Sequence, residues 1–188
     1  MTIAMNRFTF LKHILGAGLL PTAALARPAW ADLETEAQRI RRELLDAWNR
    51  SEAMTLVTAG QMPAESFGFR YTPEAMTFAE QWRHCCQFTA SQLAGRLGVA
   101  NPYETRELPK AMTKEQVLGE LKNVYAFVRQ TIESLPDAKL TEKSDFMGGP
   151  MPNWRLLYAM ENHIIHHRGQ CVVYLRLNGV KPEGYLGW

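Results

Sequence analysis

Apolar side chains along this chain recur at three- and four-residue steps in four separate stretches, the spacing that lays one buried face along an α-helix. The first covers roughly 33–57: Ile40, Leu44, Ala47 and Trp48 share a face, while Arg39, Arg41, Arg42 and Glu43 lie mostly off it. The second, 73–97, carries Phe78, Trp82, Cys85 and Thr89. It opens on Thr72-Pro73-Glu74: a capping hydroxyl, a proline for the first turn and an acid at the positive end of the helix dipole. The third, 113–135, presents Val117, Leu121, Val124, Tyr125 and Val128 behind the capping box Thr113-x-x-Gln116. The fourth, 153–178, carries Leu156, Met160, Ile164, Cys171 and Leu175 and stops at Asn178-Gly179, with Pro182 just beyond. Four such segments, without a convincing strand-type alternation, predict an all-α fold: an antiparallel-type four-helix bundle with one long crossover.

The connections differ in character. Phe67, Phe69 and Tyr71 make the first loop aromatic, so it is expected to pack back on the bundle. Gly95 to Pro109 links the second and third helices. Ser134 to Pro152, with Gly148-Gly149-Pro150, either forms part of a site's rim or is a plain linker. The tail from Lys181 to Trp188 is expected to lie against the bundle. There is no internal repeat, low-complexity tract, phosphate-binding glycine loop or second domain.

Residues 1–31 read as an export signal. Arg7, Lys12 and His13 precede an apolar run from Ile14 to Ala26, and Ala29-Trp30-Ala31 offers a cleavage site before Asp32; Ala24-Leu25-Ala26 is a second option. The run is too short for a comfortable permanent anchor. Asn6-Arg7-Phe8-Thr9-Phe10-Leu11-Lys12 is similar to a twin-arginine signal lacking one arginine, which leaves the export route open. The alternative is an amphipathic N-terminal helix. The expected division is a signal peptide, 1–31, and one bundle domain, 32–188, in the periplasm or secreted, with no membrane anchor after cleavage.

At 188 residues and 46% hydrophobic composition the chain can bury a real core and is not a disordered protein. The whole chain has 21 basic and 19 acidic residues; removing 1–31 takes away Arg7, Lys12 and Arg27 and no acid, leaving 18 against 19. That balance gives no basic face for nucleic acid, and none is expected as a partner.

The chemistry concentrates in the fourth helix, which holds three of the five histidines. Spacing alone allows two metal-binding pairs, His163/His166 and His163/His167. The apolar stripe decides between them. His163 and His167 continue the row of Leu156, Met160, Cys171 and Tyr174, whereas His166 falls beside Asn162, Gly169 and Gln170. His84 lies just off the second helix's stripe, with Glu80, Phe88 and Ser91, and is the only histidine outside the N-terminal segment and the last helix. A core or surface histidine is the competing reading.

The run His163-x-x-His166-His167-Arg168-Gly169-Gln170, followed by Tyr174-Leu175-Arg176 and Gly179-x-x-Pro182, resembles the last helix of the DinB-like (DinB/YfiT) superfamily. The resemblance covers roughly Leu33 to the end and is strong in that helix. It implies a four-helix bundle holding a metal through three histidines, one on the second helix and two four residues apart on the fourth. On this chain those are His84, His163 and His167. The name's link to DNA damage does not make the fold a DNA binder.

Three neutral imidazoles with an open position describe a catalytic rather than a structural metal site, able to lower the pKa of bound water to about 7 or to polarise a ligand. Imidazole suits zinc, nickel, copper and iron alike. Glu80 and Glu161 are candidates to orient the ligands, or simply exposed helix acids. Arg168 and Gln170 either bind an acidic group of a substrate, or pair with an acid on a neighbouring helix and bond across the bundle, respectively. Cys85, Cys86 and Cys171 show no metal-ribbon spacing; they read as buried inert thiols, with a Cys85–Cys171 disulfide, a fourth ligand or a nucleophile as alternatives.

Two function classes follow. One is a metal-dependent enzyme acting on a small molecule: characterised members of the resembled family are thiol-dependent transferases and isomerases, and metal-assisted hydrolysis is the other enzymatic option. The second class is a non-catalytic metal- or ligand-binding protein of the cell envelope. A homodimer is compatible with either.

Overall fold

The structure, a computed structural model, describes residues 34–146 and 148–184. The signal-peptide reading and the last four residues of the tail lie outside this range. Among the described residues, helix α1 spans Glu36–Gln61, α2 Phe78–Leu97, α3 Lys114–Ser134, α4 Asp137–Thr141 and α5 Asn153–Leu177; a single 3-10 turn covers Ala64–Ser66. Strands β1, Lys143–Phe146, and β2, Gly149–Pro152, pair antiparallel as a hairpin, with Lys143 opposite Pro152 and Phe146 opposite Gly149. No described helix is long and apolar enough to cross a membrane.

Three of the four bundle helices start on a reciprocal capping box, which satisfies two otherwise orphaned backbone donors. Thr35 pairs with Gln38, Thr77 with Glu80 and Thr113 with Gln116. The second of these corrects the predicted start at residue 73. Thr72-Pro73-Glu74 forms a turn, closed by Ala75 N–H on the Thr72 carbonyl at 3.2 Å, and α2 begins five residues later. The cause is tertiary. Phe78 and Ala79 donate their backbone N–H groups to the carbonyls of Phe69 (2.9 Å) and Phe67 (3.0 Å), so the aromatic loop itself finishes the helix end. Phe67 stacks edge-on against Phe78 at 5.1 Å, and Phe69 and Tyr71 against Tyr174 at 5.9 and 5.3 Å, so the loop packs back as expected. At the far end of α5, Gly179 takes a left-handed φ of 72°, and Val180 N–H returns to the Leu175 carbonyl at 2.9 Å.

Helix α1 packs on α3 and α5, and α2 packs on the same two. Their directions follow from who meets whom. Arg41, near the start of α1, bonds the carbonyls of Ile132 and Leu135 at the end of α3, while Lys114 at the start of α3 reaches the Gly60 and Met62 carbonyls at the end of α1. Gln61, ending α1, meets Lys181 and Glu183 just past α5. Gln81, near the start of α2, meets Tyr174 near the end of α5. Thus α1 is antiparallel to α3 and parallel to α5, and α2 is antiparallel to α5 and parallel to α3. The order is up-down-down-up, and residues 98–113 form the crossover that returns along the bundle between the two parallel helices.

Trp48, Phe78, Trp82, Tyr125 and Tyr174 are fully buried at the centre. Each such burial is worth about 1.5–3 kcal/mol, which is why the apolar stripes dominate helix placement.

Candidate metal centre

The antiparallel pair α2 and α5 brings the predicted histidines together. His84 Nε2 lies 3.1 Å from His163 Nε2, and His163 Nε2 lies 3.2 Å from His167 Nε2. All three ligand atoms fall within 4.8 Å of one another. Nitrogens bound tetrahedrally at about 2.0–2.1 Å from one ion would stand about 3.3 Å apart, so the donor set fits a metal of that size. On α5, His167 is buried, His163 half-buried and His166 exposed. His166 turns away, with its Nε2 2.7 Å from the Gln170 amide nitrogen.

The surroundings keep the rings uncharged. Burial, then the neighbouring imidazoles, hold His163 and His167 down at about 4, and burial lowers His84. Phe88 supplies an apolar wall, its ring centroid 4.5 Å from that of His163 and 5.5 Å from that of His84. A neutral imidazole is the form that can ligate a metal.

Gln81 is the residue the sequence reading missed. Buried on α2, it accepts a hydrogen bond from His167 Nδ1 through Oε1 and donates through Nε2 to Gln170 Oε1 at 3.1 Å. The signal was available: a polar residue beside Trp82 on an apolar stripe, one turn before His84. The carboxylates considered for this orienting role do other work. Glu80 caps α2 by accepting from Thr77 N–H at 2.7 Å, which also keeps its carboxyl below the usual range. Glu161 is buried, not exposed, and burial raises its carboxyl while Arg168 partly opposes the rise. Among the described residues neither bonds a histidine.

Arg168 is buried and donates to the Ser51 carbonyl and Thr55 hydroxyl, both at 3.3 Å. Its anchor is therefore α1's backbone and a hydroxyl, not an acid on a neighbouring helix. Gln170 does bond across the bundle. The three cysteines are free and buried, and burial pushes the Cys86 thiol up to about 12. The hairpin of β1 and β2 occupies the connection before α5, which was expected to lack strands.

A sequence profile of the DinB superfamily matches residues 47–171. The chain belongs to the DinB superfamily. Its bundle is similar to a DinB-like protein of Bacillus cereus ATCC 10987, at 27% identity and a TM-score of 0.67 over 77% of this chain and 96% of that one. A DinB-like protein of Bacillus subtilis, YjoA, shares the fold at 18% identity, with a TM-score of 0.60 over 78% of this chain and 96% of its own. The uncharacterized protein YrdA of Bacillus subtilis (strain 168) is 39% identical over 62 residues, 33% of this DinB-superfamily chain. That match spans 37% of YrdA's length.

Proposed function

We propose that this DinB-superfamily protein binds one divalent transition-metal ion through His84, His163 and His167, and acts as an exported metal-dependent enzyme on a small molecule. The observation that carries the reading is the convergence of three imidazoles, with His163 Nε2 3.1 Å from His84 Nε2 and 3.2 Å from His167 Nε2, and all three ligand atoms within 4.8 Å of one another. When bound, the ion supplies Lewis acidity at a coordination position the protein leaves open.

The chain's own part is positioning and exclusion. Two rings one turn apart on α5 set each other's spacing, and the ring from α2 closes the set. Phe88 keeps one side apolar, which limits water on that side. With three neutral ligands, no protein charge offsets that of the ion, so an anionic partner such as a thiolate or a hydroxide is the favoured guest. A small thiol, or water for hydrolysis, is accordingly the co-reactant to test.

Protein purified from its own compartment should carry about one metal per chain by mass spectrometry. It should then transfer a small thiol, or hydrolyse an ester or amide, only when loaded. A wild type that never holds metal returns the histidines to core packing. Full metal with neither reaction instead favours a binding protein of the envelope. For export, sequencing should find a mature N-terminus at Asp32, and intact Met1 on cytoplasmic protein would remove that part of the proposal.

A further inference from the structure

We propose that Tyr174, acting through Gln81, fixes His167 in the one tautomer that leaves its Nε2 free for a metal, and that Gln170 holds the same amide from the other side. The inference rests on the three-histidine reading above and adds the residues that position one of the ligands.

It follows from counting donors and acceptors. Tyr174 has one hydroxyl proton, and its oxygen lies 2.6 Å from the Met76 carbonyl, which can only accept; the proton is committed there. The Gln81 amide nitrogen lies 3.4 Å from the same hydroxyl. Facing an oxygen with only lone pairs to offer, Gln81 must present its NH2 group. The other hydrogen of that group goes to Gln170 Oε1 at 3.1 Å. With the nitrogen so turned, Gln81 Oε1 faces His167 Nδ1, and only an N–H satisfies it. A neutral imidazole with its proton on Nδ1 carries its lone pair on Nε2, the atom aimed at the cluster.

Gln170 extends the series outward, donating from its nitrogen to His166 Nε2 at 2.7 Å. Every link points the same way. Turning the Gln81 amide over would set its oxygen against the lone pairs of the Tyr174 hydroxyl, whose proton is already on the Met76 carbonyl. Gln81 is only 3% exposed and Tyr174 fully buried, so water is not at hand to repair the mismatch. His163 has no comparable hold: its buried Nδ1 lacks a partner among the described residues. The fold therefore specifies the orientation of His167, through groups that themselves touch no metal. They are positioning residues.

The test uses the full-length protein, metal-free, with 15N-labelled histidine. Two-bond 1H–15N correlations should show His167 as the Nδ1–H form. Tyr174→Phe should admit the Nε2–H form and weaken Zn2+ binding, read by competition with a chromophoric chelator, about 10–100-fold. Gln81→Glu presents acceptors alone, so in that background Tyr174→Phe should change neither the tautomer nor the zinc affinity. His167 seen as Nε2–H in the metal-free wild type overturns the inference even if no variant folds. So does Tyr174→Phe costing as much affinity with Glu at position 81 as with Gln, since that marks a packing effect. A wild type with the Nδ1–H form that binds no zinc sinks the metal reading and leaves the tautomer assignment standing. Zinc bound by a wild type whose His167 is Nε2–H when metal-free does the reverse.

Discussion

A metal held by this cluster ties α2 to α5, and the resulting gain in stability can be predicted in size. His84 is 79 positions from His163, so the three nitrogens meet only in the folded chain. The unfolded chain keeps at most the pair His163/His167, four residues apart. Binding is then almost wholly to the native state. Zinc at a hundred times its Kd should add about 2.7 kcal/mol. For a domain of this size that raises Tm by about 5–11 °C. Differential scanning fluorimetry with and without zinc reads the shift directly. His84→Ala, His163→Ala and His167→Ala should each lose most of it, because each leaves two ligands, while their metal-free Tm values should still show a cooperative bundle. His166→Ala should keep most of it, since that ring is exposed and meets Gln170 instead. If His166→Ala abolishes the shift while His167→Ala retains it, the register assigned to α5 is wrong. If all four variants shift like the wild type, the metal is elsewhere.

Three further outcomes follow from the same structure. Thr77→Ala should destabilise the protein by about 1 kcal/mol in urea unfolding, whereas Thr72→Ala should fall within about 0.5 kcal/mol of wild type, because only Thr77 caps α2. Glu161 has a folded pKa raised by burial above its ordinary 4.5. Its contribution is therefore lost as pH rises from 4.5 through the folded value, and Glu161→Gln should flatten that part of a stability–pH curve. In metal-free protein, His163 and His167 titrate at about 4 when folded against 6.5 when unfolded. The unfolded chain alone binds protons between those values, so stability should fall as pH drops from 6.5 towards 4; a double Ala variant whose urea midpoints show the same fall would refute this.

Helix existence was legible because each bundle helix carries its own periodic stripe, and for α3 its own cap. The histidine cluster was legible to the extent that it is local: His163 and His167 share a helix face, and the apolar row set them apart from His166. What escaped was decided across the bundle. Thr72-Pro73-Glu74 has every local mark of a helix start, yet the carbonyls of Phe67 and Phe69 supply the acceptors that begin α2 at Phe78. Gln81 carries no motif, and its meaning depends on His167, 86 positions away. The hairpin of β1 and β2 is short, with prolines at 150 and 152 and Gly149 at a φ of 119°, a composition that sequence patterns score as loop. Arg168 looked like half of an ion pair, but its partners are a carbonyl and a hydroxyl of α1 that no charge pattern advertises.

For a metal bound as proposed, the wide separation of His84 from the pair on α5 would also govern where the ion is chosen. Until α2 and α5 dock, the chain offers a two-imidazole site that any imidazole-binding metal can enter and leave. The third ligand arrives only with the finished bundle. Were the chain to cross a membrane unfolded, it would acquire its metal from the pool on the far side, where copper and zinc outrank iron and manganese by intrinsic affinity. Were it to cross folded, the cytoplasm would make the choice and the bundle would carry it out. The spacing of three histidines along the chain would thus link the identity of a bound metal to the order of folding and transport.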